Sequence, residues 1–264
     1  MSSYQTIEIE RTGNVALVTL NRPHSLNAFD TVMRREFVKA AREVNNDETI
    51  RVVVLTGAGR GFSAGADLAE KVSAEDATGQ ATEDYLNADY KPGLLAVRDA
   101  RKPWISAVNG PAAGIGSAYA LACDMVVMAD DAYFYQAFAA IGLIPDGGAT
   151  WHLARILGRQ RAYEMIVSGE KIRAERCLEL GLCNRVVPAG ELVEQAIVQA
   201  ETLAAKAPLA LRYAKESLNF ALEHTLDQVI SNEARLQHIC IDSEDAKEGI
   251  RAFMGKRDPV WKGQ

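Results

Sequence analysis

Two glycine-interrupted loops, each directly after an apolar run of β type, constrain this chain more than any other feature. The first loop follows RVVVLTG and covers residues 58–68, and the second follows WISAV and covers residues 109–117. Each has the form of a strand, a Gly/Ala turn and a helix start, so each can direct free backbone N–H groups at a ligand. Two such loops that converge on one oxygen atom predict an oxyanion hole built without side chains.

The composition excludes several classes of protein. A net charge of −6 over 264 residues argues against nucleic acid as the main partner. The longest apolar stretch, 104–130, contains Asn109, Pro111, three glycines and Asp124, so it does not predict a membrane span. Scattered cysteines predict neither disulfides nor a metal site, and they favour a reducing compartment: Cys123, Cys177, Cys183 and Cys240. The start, MSSYQTIEIERTG, has no targeting pattern, and we expect a cytoplasmic protein.

The order of patterns along the chain predicts an α/β fold. Residues 6–10 and 15–20 form a predicted hairpin, residues 51–56 a buried strand, and residues 71–91 a polar, acidic lid. Helical spacing relates Leu26, Phe29, Met33, Phe37, Ala40 and Val44. A unit of strand, strand and helix recurs with irregular insertions, which predicts a coiled stack of turns around one core over residues 1–190.

Residues 191–264 form a predicted helical region. Its apolar positions exceed what a terminal helix pair needs for its own packing: Leu218, Leu222, Leu226, Val229 and Ile230. Helices with a surplus apolar face usually bury it against another surface. We therefore expect this region to make a homo-oligomer.

Two short motifs resemble sites that their surroundings do not support. Gly61-Phe62-Ser63-Ala64-Gly65 fits the G-x-S-x-G pattern of serine hydrolases, but Ser63 does not directly follow a strand. A hydrolase at Ser63 is therefore a remote alternative. Gly114-Ile115-Gly116 is not a dinucleotide fingerprint, because the third glycine and the acidic residue at the end of the next strand are missing.

Asp146, in IPDGGA, has two interpretations. It can be the N-cap of a helix that begins near Thr150. It can also be a general base, since burial among apolar side chains raises the pKa of a carboxyl group. The expected apolar neighbours of Asp146 are Phe138, Ile141, Leu143, Ile144 and Trp151.

Several long segments together resemble the crotonase (enoyl-CoA hydratase/isomerase) superfamily. They are LNRPHSLNAF, RGFSAGADL, AVNGPAAGIGSAYALACDMVVMADDAYF, GLIPDGGATWHLARILG, AERCLELGLCNRVVP and EGIRAFMGKRDPVWKG. The similarity runs nearly end to end. Within the superfamily, GLIPDGGATWHLARILG is most similar to the ring-1,2-epoxyphenylacetyl-CoA isomerase and enoyl-CoA isomerase branch.

The resemblance implies a spiral of ββα turns, a C-terminal helical region that forms trimers or hexamers, and an acyl-CoA thioester as substrate in fatty or aromatic acid degradation. It implies no separate cofactor and no metal, since coenzyme A enters as part of the substrate. Carried over, the oxyanion donors are the N–H groups of Ala66 and Ile115. The implied substrate-binding and coenzyme A-binding residues are Arg22, His24, Ser25, Leu26, Ala64, Gly65, Asp67, Leu68, Gly114, Phe138, Phe253 and Lys256.

Two departures from the family decide the expected chemistry. Hydratases of the family carry two glutamates, and the matching positions here are Ala118 and Phe138. Asp146 matches a position where isomerase branches keep a catalytic aspartate. We therefore expect an isomerase with Asp146 as its one base. The alternatives are a hydratase or lyase that uses a lid carboxylate, such as Glu83 or Asp84, and a non-catalytic acyl-CoA-binding member.

Overall fold

Nine strands build the described part of the chain. The structure is a computed structural model that describes residues 4–73 and 78–264, with the side chains of residues 71–73 left out of the description. The strands are β1 (Ile7–Thr12), β2 (Val15–Leu20), β3 (Val52–Gly57), β4 (Trp104–Val108), β5 (Pro111–Ala113), β6 (Met125–Ala129), β7 (Tyr133–Tyr135), β8 (Lys171–Arg173) and β9 (Arg185–Val187).

The strands form two sheets. The larger has the order β1-β2-β3-β4-β6-β9, and the smaller has the order β5-β7-β8. The β1–β2 pair is antiparallel, which confirms the predicted hairpin, and every later pair of the larger sheet is parallel. All residues of β3 and β4 are buried, because a parallel sheet is covered on both faces.

Twelve α-helices connect and cover these sheets. They are α1 (Thr31–Asn46), α2 (Leu68–Ser73), α3 (Gly79–Tyr85), α4 (Lys91–Arg98), α5 (Ile115–Ala122), α6 (Ala149–Leu157), α7 (Arg159–Ser168), α8 (Ala174–Glu179), α9 (Leu192–Ala204), α10 (Pro208–Ala221), α11 (Leu226–Asp242) and α12 (Glu244–Met254). The helices and sheets confirm the predicted α/β class.

Helix α1 begins later than its apolar spacing predicts. Asp30 is its N-cap, and the Asp30 carboxylate accepts a hydrogen bond from the N–H of Met33 at 2.8 Å. Leu26 and Asn27 precede the helix with φ values of 49° and 54°, so they lie in a left-handed turn. Phe29 is fully buried but belongs to the segment between this turn and the helix.

The predicted lid is largely helical where the structure describes it. Helix α3 continues through a π-helical segment, Leu86–Tyr90, directly into α4. The predicted polar, acidic segment is therefore helical over residues 79–91. The reason is that one side of this continuous helix carries apolar residues that face the core, whereas its exposed side carries the acidic residues that dominate the composition.

The C-terminal helices differ in how they pack. Helix α9, which begins just after residue 190, lies against β2, β3, β4 and β6 and buries Leu192, Ala196, Ala200 and Ala204. Helix α10 is held to the core by the buried Lys215, whose ammonium group donates to Asp124 at 2.7 Å and to the carbonyl of Val97 at 2.9 Å. In this chain taken alone, large apolar side chains of the last three helices are exposed: Leu218, Leu222, Leu226, Ile230, Ile241, Ile250, Phe253 and Met254.

Candidate active site

The two glycine loops meet through a short parallel bridge. The N–H of Ser63 donates to the carbonyl of Pro111 at 3.1 Å, and the N–H of Ala113 donates to the carbonyl of Ser63 at 2.8 Å. Gly65 has a φ of +96°, and a Cβ atom added there would lie 2.8 Å from the carbonyl oxygen of Ala113. Only glycine lets the loops come this close. The two glycine loops therefore lie side by side.

The N–H of Ala66 points away from its neighbouring strand segment. Phe29 donates its N–H to the carbonyl of Gly65 at 2.8 Å and accepts from the N–H of Asp67 at 3.1 Å. These two bonds flank Ala66 on one side, so the N–H of Ala66 itself faces the opposite side. The Ala66 N–H therefore lies on the side of the loop that does not pair with Phe29.

Ile115 contributes a second donor from the start of α5. Its N-cap is Gly114, with a φ of 51°, and the N–H of Gly114 donates to the carbonyl of Tyr135 at 2.9 Å. The first N–H groups of a helix have no partner within that helix, and its dipole favours negative charge there. The Cβ position built on Gly65 lies 3.6 Å from the nitrogen of Ile115, so the second donor lies beside the first loop.

The loop that carries Asp146 packs on the start of α5, and Asp146 does not occupy the N-cap position of α6. Helix α6 begins at Ala149, and its N-cap is Gly148 with a φ of 81°. A Cβ atom on Gly147 would lie 2.7 Å from Cγ1 of Ile115, so the loop that carries Asp146 packs on the first turn of α5. The Oδ1 atom of Asp146 is buried. The helix-cap interpretation of Asp146 is wrong.

A pocket of about 390 Å³ opens beside Asp146. It is lined on one side by residues of the π-helical segment and α4, namely Leu86, Tyr90, Leu94 and Leu95. On the other side it is lined by Asp146 and Gly147, which precede α6, and by Trp151 of α6. The prediction that apolar side chains of its own loop surround Asp146 was wrong for three of the five residues. Ile141, Leu143 and Ile144 are 52%, 48% and 82% exposed, because their loop turns them outwards. The apolar surroundings come instead from the π-helical segment and α4.

Tyr90 and Arg34 join this pocket to the first glycine loop, and the sequence analysis missed both. Burial and the nearby carboxylate of Asp146 raise the pKa of Tyr90, although Arg34 opposes the shift. The hydroxyl of Tyr90 and the guanidinium of Arg34 each donate to the carbonyl of Phe29 at 3.4 Å. Arg34 is buried, and it pairs with Glu70 at 3.1 Å. Arg34 lies in α1 and Tyr90 in the polar segment 71–91, and neither gave a sequence signal for its contact with Phe29.

The positions of the two expected glutamates do lie at the site. A Cβ atom on Gly147 would lie 3.2 Å from Cβ of the buried Ala118. A Cβ atom on Gly114 would lie 3.5 Å from Cζ of Phe138, which is 7% exposed. Neither position supplies a carboxylate, and Asp146 is the acidic residue that the loop packed on α5 brings to the pocket.

Some of the residues predicted to bind coenzyme A lie beside the first glycine loop. The carbonyl of Leu26 accepts from the N–H of Ala64 at 2.8 Å, and His24 and Ser25 lie in the 3-10 turn just before it. Arg22 pairs with Asp67 at 3.0 Å and with Asp30 at 3.2 Å. Ala64 and Leu68 are exposed at the other end of the loop.

Phe253 and Lys256 lie far along the chain in α12 and just after it, and both are exposed. Phe253 is 83% exposed. Neither residue belongs to the described lining of the pocket. Their predicted role in completing the site is therefore not met within one chain.

Ser63 has the contacts of a structural hydroxyl. It is fully buried, and its Oγ donates to the carbonyl of Asn27 at 2.8 Å and accepts from the N–H of Gly65 at 3.1 Å. Strand β3 ends at Gly57, six residues earlier, so Ser63 is not at the strand-to-helix turn that a nucleophile needs.

Residues 4–73 and 78–264 contain no cluster of three or more His, Cys, Asp or Glu side chains suited to a metal ion. Over the same residues, no helix combines the length and the apolar character needed to cross a bilayer.

Comparisons with known proteins identify the family of this chain. The model of the enoyl-CoA hydratase/isomerase family matches residues 10–264. The chain therefore belongs to the enoyl-CoA hydratase/isomerase family, within the crotonase superfamily.

Individual relatives carry two kinds of name. The chain is 39% identical over 252 residues to the 1,2-epoxyphenylacetyl-CoA isomerase of Escherichia coli, with 95% of each chain covered. It is 38% identical to a probable enoyl-CoA hydratase of Rhodobacter capsulatus, with 99% of this chain and 100% of the other covered. A crystal structure of an enoyl-CoA hydratase from Bacillus anthracis superposes with a TM-score of 0.94 at 33% identity, covering 98% of this chain and 100% of the other.

Proposed function

We propose that this enzyme is an acyl-CoA isomerase that works through a thioester enolate. The observation that carries the proposal is the pairing of one carboxylate, Asp146, with two backbone donors, Ala66 and Ile115, while Ala118 and Phe138 stand where a second acid or base would be. The relative named 1,2-epoxyphenylacetyl-CoA isomerase supports it, and the relatives named hydratase favour the competing assignment.

The geometry supports a proton shuttle on one face of the acyl group. The thioester oxygen accepts hydrogen bonds from the N–H groups of Ala66 and Ile115. The carboxylate of Asp146 removes a proton from the carbon next to the thioester of a 3-enoyl group, and the electron pair moves into a dienolate. The same carboxyl group then returns the proton two carbons further on. The double bond has moved, and Asp146 is ionised again.

Proton exchange in heavy water tests this mechanism. A panel of acyl-CoA thioesters is incubated with the enzyme in deuterated water, and mass spectrometry detects deuterium next to the thioester. Asp146→Asn should lower turnover by about 10²–10⁴-fold with ligand affinity nearly intact, because the amide cannot accept the proton. The exposed Asp131→Asn is the matched control. Equal turnover in wild type and Asp146→Asn would refute the mechanism.

Hydration of crotonyl-CoA separates the isomerase from the hydratase or lyase alternative. We expect little or no hydration, because activation of water needs a second acid or base. Among the lid carboxylates, Glu83 and Asp84 are exposed and Asp89 pairs with Arg34 at 3.6 Å. Residues 75 and 76, a glutamate and an aspartate, lie outside the described residues. Rapid hydration would favour the lid carboxylates, and binding without any exchange would favour a non-catalytic acyl-CoA-binding member.

We also propose that the enzyme assembles as a homotrimer or hexamer and binds coenzyme A along Arg22, His24, Ser25 and Leu26. The exposed apolar side chains of α10, α11 and α12 support the assembly. Within such an assembly, Phe253 and Lys256 complete the site of a neighbouring subunit, which accounts for their distance from the pocket of their own chain.

A further inference from the structure

The pocket has a direction that follows one helical segment. Leu86, Tyr90, Leu94 and Arg98 line it at successive turns. Helical rise places Arg98 about 12 Å beyond Tyr90 along the axis. The charge of Asp146 acts on Tyr90 at one end. At the other end, the guanidinium carbon of Arg98 lies 4.7 Å from the centroid of the Trp151 ring. An acyl chain that passes Asp146 therefore runs towards Arg98.

Arg98 lies at the end of a channel in which Leu86, Leu94 and Leu95 form an apolar wall, and the donors of its guanidinium group are only partly used. It donates to Asp99 at 2.9 Å and to Glu223 at 3.3 Å. A guanidinium has five N–H donors, so these two bonds leave capacity for another acceptor. The side chains of Asp99 and Glu223 are each 51% exposed, and pairs with such exposed carboxylates contribute little. Glu223 also lines the pocket, so its carboxylate occupies a position that a ligand carboxylate can take.

The charges around this end favour an anion. The guanidinium carbons of Arg98 and Arg155 lie 4.7 Å and 4.1 Å from the centroid of the Trp151 ring, whereas Lys91 lines the pocket beside Tyr90 at the other end. Burial, together with the positive charges of Arg98 and Arg155, lowers the pKa of the pocket residue His152 to about 4. His152 is therefore neutral at neutral pH, so the positive charge beside Trp151 comes from the two guanidinium groups.

From this arrangement we infer that the acyl group of the substrate carries a carboxylate at the end opposite the thioester. Arg98 binds that carboxylate in place of the carboxylate of Glu223. Leu86, Leu94 and Leu95 contact the methylene chain between the two ends. The inference rests on the proposed function, because it takes the pocket beside Asp146 as the acyl site. It names the substrate class as monothioesters of dicarboxylic acids.

Calorimetry with saturated thioesters tests the inference without catalysis, because these ligands have no double bond to shift. Adipoyl-CoA is compared with hexanoyl-CoA, and suberoyl-CoA with octanoyl-CoA. At the better length, the carboxylate-ended ligand should bind the wild type about fivefold tighter, which is what a partly exposed ion pair contributes. A preference of the wild type for the methyl-ended ligand, or for a phenyl-ended ligand of similar length, would overturn the inference.

Matched variants separate Arg98 from general electrostatics. Arg98→Met should abolish the preference, whereas Arg155→Met removes a cation from the same tryptophan ring outside the pocket lining and should keep it. Glu223→Gln should increase the preference by removing the competing carboxylate. Asp99→Asn, the other partner of Arg98 but not a lining residue, should change it less.

Equal effects of Arg98→Met and Arg155→Met would overturn the inference. Failure of the isomerase proposal has a different signature, namely a normal binding preference with no deuterium exchange by the wild type on any unsaturated thioester. The reverse result is deuterium exchange on methyl-ended thioesters with no preference for carboxylate-ended ligands in the binding assay. It would leave the isomerase proposal standing and remove the assigned substrate class.

Discussion

Gly65→Ala is the sharpest perturbation of the proposed oxyanion hole, since it adds one methyl group and no polar atom. The added Cβ would lie 2.8 Å from the carbonyl oxygen of Ala113, closer than such contacts occur, so the two glycine loops must move apart. The φ of +96° adds strain for alanine of about 1–2 kcal/mol. Because Ala66 follows directly, its N–H loses alignment with that of Ile115. Loss of one such donor costs about 2.7–4 kcal/mol of barrier, or 10²–10³ in turnover.

Gly169→Ala isolates the backbone strain from the loss of the donor. Gly169 also has a positive φ, +66°, but an added Cβ there meets no atom within 4 Å. Deuterium exchange would measure turnover, and urea unfolding would measure the free energy of unfolding. We expect both variants to lose stability and Gly65→Ala alone to lose turnover by about 10²–10³-fold. A folded Gly65→Ala enzyme with wild-type exchange would refute the assignment of the Ala66 donor.

Three further predictions concern pH, packing and assembly. Because His152 titrates near 4 when folded and near 6.5 when unfolded, the unfolded chain binds more protons between these values, so stability falls as the pH drops through this range. His152→Gln should remove about 3 kcal/mol of this acid sensitivity, measured by unfolding at pH 7 and pH 4. Lys215→Met should destabilise the fold by about 1.5–3 kcal/mol in urea unfolding, because it removes the buried ammonium group that donates to the partly exposed Asp124 carboxylate. Light scattering at micromolar concentration should give a trimer or hexamer, and Leu226→Glu with Ile230→Glu should dissociate it. A wild-type monomer would contradict the assembly.

Local patterns predicted the elements whose side chains report burial directly. The hairpin β1–β2 alternates, and β3 and β4 are continuous apolar runs, so periodicity identified them. The start of α1 was misplaced because Leu26 and Phe29 are apolar for reasons outside the helix. The φ of 49° at Leu26 belongs to a turn that no periodicity reveals.

The candidate site was predictable where it depends on the backbone and not where it depends on contacts between distant segments. The loops around Gly65 and Gly114 stand out in the sequence, because their glycines satisfy a positive φ and a close approach. The apolar wall beside Asp146 comes from residues more than 50 positions earlier, such as Leu86 and Leu94. Only the tertiary fold brings them there, so reasoning from sequence neighbours chose the wrong side chains.

The proposed oxyanion hole consists of main-chain donors, which has a consequence for mutational mapping. An alanine scan cannot detect it, because Ala66 is already alanine and Ile115→Ala leaves the N–H in place. Such a scan would instead report the side chain of Ile115 through its packing against Gly147. The informative change is in the backbone itself. Replacing the amide at residue 66 or 115 with an ester, by semisynthesis, removes one donor and leaves every side chain of the enzyme as it is.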